Sequence, residues 1–249
     1  FYFYLIIMTM FFLMLNILYK WKKIMDKDIL KTLAPKGILR AGINMSNFLL
    51  VTGKSSDGSP DGVSPDIAKK IASELQVECE LIPFDRPGEL ADFVNKDVWD
   101  IGNIAFEPER ANTIDFSNPY ALIDANFLLN KNSNFKTNKD IDKHGVRIVV
   151  AERSAYDLWL TDNFNNAKII RASSIQESHD FFNDKKADIL AGLKPKLLDE
   201  ILLNDDYFII EEPFTFIKQS VGVKKGNKEV IFFLNKLINK YLKEGFIYN

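Results

Sequence analysis

The residues with the clearest chemical potential stand together in Asp100–Tyr120, DIGNIAFEPERANTIDFSNPY, where a lone arginine follows a short apolar run. Ile101 and Ile104–Phe106 suit a strand buried in a covered parallel sheet. Glu107-Pro108-Glu109-Arg110 predicts the opening of a helix, with proline where its missing N–H costs little and carboxylates in the first turn. Arg110 would then sit at the carboxyl end of a strand, in the crevice where open α/β sheets bind ligands. Its planar guanidinium can hold a carboxylate through two parallel hydrogen bonds, with free N–H groups at the helix start beside it. The same spacing also allows a surface arginine paired with Glu107 or Asp115.

Elements on either side must position that arginine. Ile29–Ala34 reads as a short helix, Pro35-Lys36-Gly37 as a turn and Ile38–Ile43 as a first strand. Asn44–Phe48 follows that strand's end, and Thr52–Gly62 is a Gly-, Ser- and Asp-rich loop. Ser64 is expected to cap the next helix with Pro65 at its first position, and Val63, Ile67, Ile71 and Leu75 give it an apolar stripe. Glu78–Phe84, Pro87–Val94 and Asp100–Ala105 read as strand, helix and strand. The resulting βαβαβ order predicts a right-handed, doubly wound lobe.

A second lobe follows an extended apolar crossing, Tyr120–Leu129, and a polar stretch, Asn130–Asp142. Val146–Ala151 reads as a strand running into Ser154, which can cap a helix whose first N–H groups face the cleft. Lys168–Arg171 is a strand, and Ser174 with Glu177 forms a capping-box pattern ahead of Ile175–Phe182. Ala187–Leu193, Pro195–Leu203 and Tyr207–Ile210 complete the lobe, and Phe216–Val223 would return to the first. A closing helix over Asn227–Lys243 buries Val230, Leu234, Leu237 and Tyr241 and presents Lys228, Lys236, Lys240 and Lys243 to solvent. The expected division is residues 26–129 with 220–249 in lobe 1 and 130–219 in lobe 2.

Composition narrows the function. At 249 residues with 47% hydrophobic content the chain can build a substantial core. A net charge of -2 supplies no basic field for nucleic acid. The single cysteine, Cys79, rules out an internal disulfide, and the two histidines, His144 and His179, make a histidine-rich metal site improbable. Phe1–Tyr19 is apolar apart from Thr9 and Asn16 and would extend roughly 28 Å as a helix, with Lys20, Lys22 and Lys23 behind it. Three readings stay open for residues 1–24: signal, anchor, or over-extended translation ahead of Met25.

Pro108-Glu109-Arg110, then Ile114, then Phe116-Ser117-Asn118-Pro119-Tyr120 resembles a segment of the extracellular solute-binding proteins of family 3, which serve polar amino acid ABC transporters. Gly62-Val63-Ser64-Pro65-Asp66-Ile67-Ala68 resembles the opening of that family's first helix. The resemblance covers roughly residues 36–249. It implies a two-lobed α/β fold of the type II periplasmic-binding-protein kind, each lobe a doubly wound, mostly parallel sheet, joined by two crossings.

The resemblance further implies that Arg110 holds the carboxylate of a small solute, that Phe48 lids it, and that the Ser154 loop closes on it. Asn103, Ala105, Ala155, Tyr156 and Asp157 complete the expected ligand set, with no metal and no cofactor. Expected partners are the solute and a membrane permease, without nucleic acid, for a periplasmic, possibly tethered monomer; a start at Met25 would instead make it cytoplasmic.

Three positions depart from the family pattern. Arg153 replaces a glycine before Ser154, Ala105 replaces a serine, and Leu193 stands where amino-acid binders place an aspartate for the ligand ammonium. Leu193 cannot neutralise an ammonium, so a carboxylate with a substituted or quaternary ammonium, caged by Phe48 or Tyr156, suits the change. Cyclohexadienyl dehydratase resembles the same scaffold and is the alternative, but its acid falls at Lys196 here. The expectation is therefore a binding protein and not an enzyme.

Overall fold

The computed structural model describes residues 27–247. The three readings of residues 1–24 lie outside the described residues. Among those described, no helix is long and apolar enough to cross a membrane.

The described residues open with a short helix, α1 (27–33), then β1 (Ile38–Asn44), a hairpin of β2 (Gly53–Lys54) and β3 (Pro60–Asp61), α2 (Val63–Leu75), β4 (Glu78–Phe84), α3 (Pro87–Asp92) and β5 (Ile101–Ala105). β1 pairs in parallel with both β4 and β5, so the expected βαβαβ unit forms. Side chains alternate across it, as the strand period requires. Leu39, Ala41 and Ile43 of β1 join Ile67 and Ile71 of α2 in one buried cluster. Phe84 and Ile104 face the other way, into a cluster with Leu90 of α3 and Trp99.

The start of α2 differs from expectation. Gly62 is its N-cap, at φ 127°, and makes no side-chain cap. A Cβ there would stand 2.7 Å from the Leu50 carbonyl oxygen, so only glycine makes this turn without displacing backbone. Ser64 falls inside the helix instead, buried, with its Oγ 2.9 Å from the Tyr120 hydroxyl.

After β5 comes a single 3₁₀ turn, Arg110–Asn112, where a helix was expected. The chain is drawn at once into β6 (Ile114–Phe116), which pairs with β12 (Thr215–Lys224), leaving no room for a longer helix. β7 (Ala121–Asn130) then crosses to the second lobe. That lobe contains β8 (Arg147–Ala151), α4 (Ala155–Asn163), β9 (Lys168–Ala172), α5 (Ile175–Asn183), β10 (Ile189–Leu193), α6 (Lys194–Leu203) and β11 (Tyr207–Ile209). β10, β8 and β9 run parallel. Val149 and Leu190 pack with Phe182 of α5 and Leu197 of α6 on one face, while Ile148 and Ile189 join the main cluster on the other.

β12 brings the chain back and α7 (Lys228–Lys243) finishes it, burying Val230, Leu234, Leu237, Ile238 and Tyr241. The main sheet runs β4-β1-β5-β12-β7-β10-β8-β9, with β6 and β11 paired off this path. Its middle is the antiparallel pair β7 and β12, matched from Ala121↔Gln219 to Ala125↔Thr215. The two lobes therefore share one backbone ladder across this seam.

Candidate solute-binding site

A cleft of about 830 Å³ lies between the lobes, a size suited to a small organic molecule. The first lobe lines it with Asn44 and Phe48 after β1, the Asp85-Arg86-Pro87 turn after β4, and Ala105 and Arg110 after β5. The second supplies Ala151 and Glu152 after β8, Ser154, Ala155 and Tyr156 at the start of α4, Ser173–Gln176 at the start of α5, and Leu193 and Lys196. All these groups lie at or just past the carboxyl ends of parallel strands, where the sheet's topology leaves a crevice.

Arg110 is 5% exposed and has no carboxylate within salt-bridge distance among the described residues. Neither Glu107 nor Asp115 pairs with it. One Nη donates to the Ala105 carbonyl oxygen at 3.0 Å, and the other to the Arg153 carbonyl oxygen at 3.0 Å, across the cleft. Of its five N–H donors three stay uncommitted. Burial pushes its pKa down to about 10, against the attraction of Glu107 and Glu109. A buried, still charged guanidinium without a counter-ion favours an anion from solution.

The second lobe supplies a matching cap. Ser154 Oγ accepts from the Asp157 N–H at 3.1 Å, and the Arg153 N–H donates to Asp157 Oδ2 at 2.7 Å. Arg153 takes the left-handed φ of 55°. The expected glycine geometry is thus kept by a residue with a side chain, and Asp157 is part of the reason. The Ala155 and Tyr156 N–H groups, at the start of α4 on the cleft wall, make no hydrogen bond among the described residues, and the partial positive charge of a helix start favours anions there. Burial pushes the Tyr156 hydroxyl up to about 12, so it acts there as a neutral group.

The expected ligand set divides. Arg110, Ser154, Ala105, Phe48, Ala155 and Tyr156 all line the cleft. Asn103 and Asp157 do not. Asn103 lies two residues deeper in β5 than Ala105, and its Nδ2 donates to the Ser64 carbonyl oxygen at 3.2 Å, fastening α2 to the sheet. Asp157 turns away into its own loop and onto Arg171, whose Nε is 3.0 Å from Oδ1.

Among the cleft residues outside the expected ligand set, Asn44 and Gln219 stand out for their uncommitted amides. Asn44 ends β1, with Oδ1 accepting from Ser46 Oγ at 2.8 Å and its Nδ2 left free among the described residues. Gln219 is 4% exposed in β12, and its amide makes no hydrogen bond among the described residues. Asn44 opens the segment that the end-of-strand rule already places on the ligand side, where Phe48 alone was singled out; Gln219 depends on the long-range pairing Gln219↔Ala105.

Residues 39–249 match the family model of the bacterial extracellular solute-binding proteins, family 3. The chain belongs to that family. This family 3 chain is 24% identical to the L-cystine-binding protein TcyJ of Escherichia coli strain K12, over 90% of this chain and 85% of that one. It is 21% identical to the ABC transporter glutamine-binding protein GlnH of Bacillus subtilis strain 168, over 88% and 81%. Among solved structures, the amino acid ABC transporter substrate-binding protein AbpA of Streptococcus pneumoniae, bound to L-arginine, superposes with a TM-score of 0.70 at 21% identity, covering 87% of this chain and 94% of that one. The two-lobed type II periplasmic-binding fold and a solute-binding, non-enzymatic role follow for this chain. At the point where the dehydratase reading requires an acid the cleft presents Lys196, beside Leu193.

Proposed function

We propose that this protein captures a small carboxylate-bearing, amino-acid-like or zwitterionic solute by lobe closure and passes it to the membrane permease of an ABC transporter, acting as a periplasmic monomer. Lobe 1 comprises residues 26–129 and 220–249 and lobe 2 residues 130–219 in this reading, consistent with β7 and β12 forming the seam. One observation carries the solute class: the buried Arg110 has no acidic partner and faces the start of α4 across the cleft. A carboxylate bridging these two groups binds the closed form better than the open one, and so shifts the hinge equilibrium.

Leu193 shapes the rest of the solute. It presents an apolar side chain to the cleft, and the carboxylates that border the cleft are Asp85 and Glu152. Phe48 and Tyr156 flank the same space, which favours a substituted or quaternary ammonium over a bare one.

The test is a thermal-shift and calorimetric screen of amino acids, betaines and small organic acids on the wild type and on Arg110→Ala. A ligand at a hundred times its Kd stabilises by about 2.7 kcal/mol. The arginine truncation should cost about 2–5 kcal/mol of that binding. A hit that binds Arg110→Ala as well as wild type overturns the assignment.

A further inference from the structure

Arg153 stands beside the cleft but is not spent on the solute: its side chain crosses to the other lobe. Nη1 and Nη2 donate to Asp92 Oδ2 and Oδ1 at 2.8 and 2.7 Å, a bidentate pair between the α3 end of lobe 1 and the α4 loop of lobe 2. The Arg153 side chain packs against Gly88, so closely that a Cβ at Gly88 would be 2.9 Å from Arg153 Cζ and 3.0 Å from its Cβ. The same residue's carbonyl oxygen accepts from the solute-facing Arg110, and its N–H holds Asp157.

We propose that Arg153, Asp92 and Gly88 form a latch that draws the lobes together before any solute binds and makes Arg153 the positioning residue for Arg110. Three contacts centred on Arg153 join the lobes here, the pair with Asp92, the packing on Gly88 and the Arg110 hydrogen bond, beside a longer Arg86 to Ser173 hydrogen bond at 3.5 Å, and none requires a ligand. The partners are half-exposed, with side-chain exposures of 44% and 51%, so the latch biases the hinge without locking it. The solute then enters a protein whose binding-competent form is already enriched, which raises its apparent affinity in proportion to that population. This role rests on the solute-capture reading for its purpose, but the latch itself is measurable without any solute.

The experiment is single-molecule FRET on the full, ligand-free chain, with dyes at Lys69→Cys in α2 and Asp180→Cys in α5 in a Cys79→Ala background. Arg153→Gly deletes the side chain while keeping a residue at ease with the left-handed φ, Asp92→Asn weakens the pair, and Gly88→Ala obstructs it from lobe 1. Each should lower the closed-to-open ratio about two- to fivefold in dilute buffer, the range expected of an exposed ion pair. In 1 M NaCl, where screening reaches about 3 Å, the wild type should fall to the level of Asp92→Asn. An unchanged ratio in both Arg153→Gly and Asp92→Asn, or a wild type that is open and indifferent to salt, overturns the latch. Either result stands whatever the solute screen finds, so failure of the latch and failure of the solute assignment are separable.

Discussion

Replacing Glu107 by glutamine should stabilise the protein at alkaline pH and do little in acid. Glu107 follows β5 by two residues, is 6% exposed, and makes no side-chain hydrogen bond among the described residues. Burial pushes its carboxyl up to about 7 from the ordinary 4.5, with Arg110 and Lys218 pulling it down and Asp162 across the lobes pushing it further up. The folded state therefore holds this proton more tightly than the unfolded chain, and stability falls as pH rises from about 4.5 to about 7. At about 1.36 kcal/mol per pH unit the full gap is worth about 3 kcal/mol. Water that still reaches the carboxylate reduces this to about 1–2 kcal/mol.

Glutamine keeps the shape and removes the charge. Glu107→Gln should raise Tm by about 2–8 °C at pH 8, given about 2–4 °C per kcal/mol for a chain of this size. At pH 4.5 the difference from wild type should shrink to a few tenths of a kcal/mol. Calorimetric melting of both proteins at the two pH values measures it. A difference independent of pH, or a destabilised variant at pH 8, would refute the buried-acid argument.

Other perturbations test the frame around the site. Gly62→Ala forces a Cβ to 2.7 Å from the Leu50 carbonyl oxygen at φ 127°, and should cost about 1–3 kcal/mol in urea titrations. Tyr120→Phe leaves the buried Ser64 hydroxyl without its 2.9 Å partner and should lower stability by about 1–2 kcal/mol; an unchanged midpoint would mean Ser64 finds another partner. Asp100→Asn strips the buried Arg40 of a carboxylate that contacts it at 2.6 and 3.0 Å, with an expected loss of about 3 kcal/mol on denaturant unfolding.

The fold was legible because its signals are local. The βαβαβ order, the caps at Ser154 and Ser174, and the α7 stripe each depend on residues within a turn or two of one another. Arg110 was legible for the same reason, as a charge just past a buried strand. The misreadings have different physics. Ser64 has the chemistry of a cap, but Gly62 has the φ the turn demands, and geometry won over hydrogen-bonding capacity. Asn103 shares a face with Ala105 along the strand, yet two residues of depth place it under α2 rather than in the cleft. The helix expected after Glu107 was lost to β6, whose pairing with β12 lies more than a hundred residues away in sequence. Gln219 and the Arg153–Asp92 pair were likewise beyond reach, since both exist only once the lobes are assembled.

The sheet path also constrains the order in which the chain can mature. β5 is bonded along one edge to β12, from Gln219↔Ala105 to Gly222↔Gly102, so a nascent chain that has reached residue 105 presents that edge bare. It stays bare through the synthesis of β7 to β11, a long interval in which an unpaired apolar strand invites pairing with other chains. The half of the molecule that carries Arg110 is begun first and closed last, by the segment that also completes the hinge.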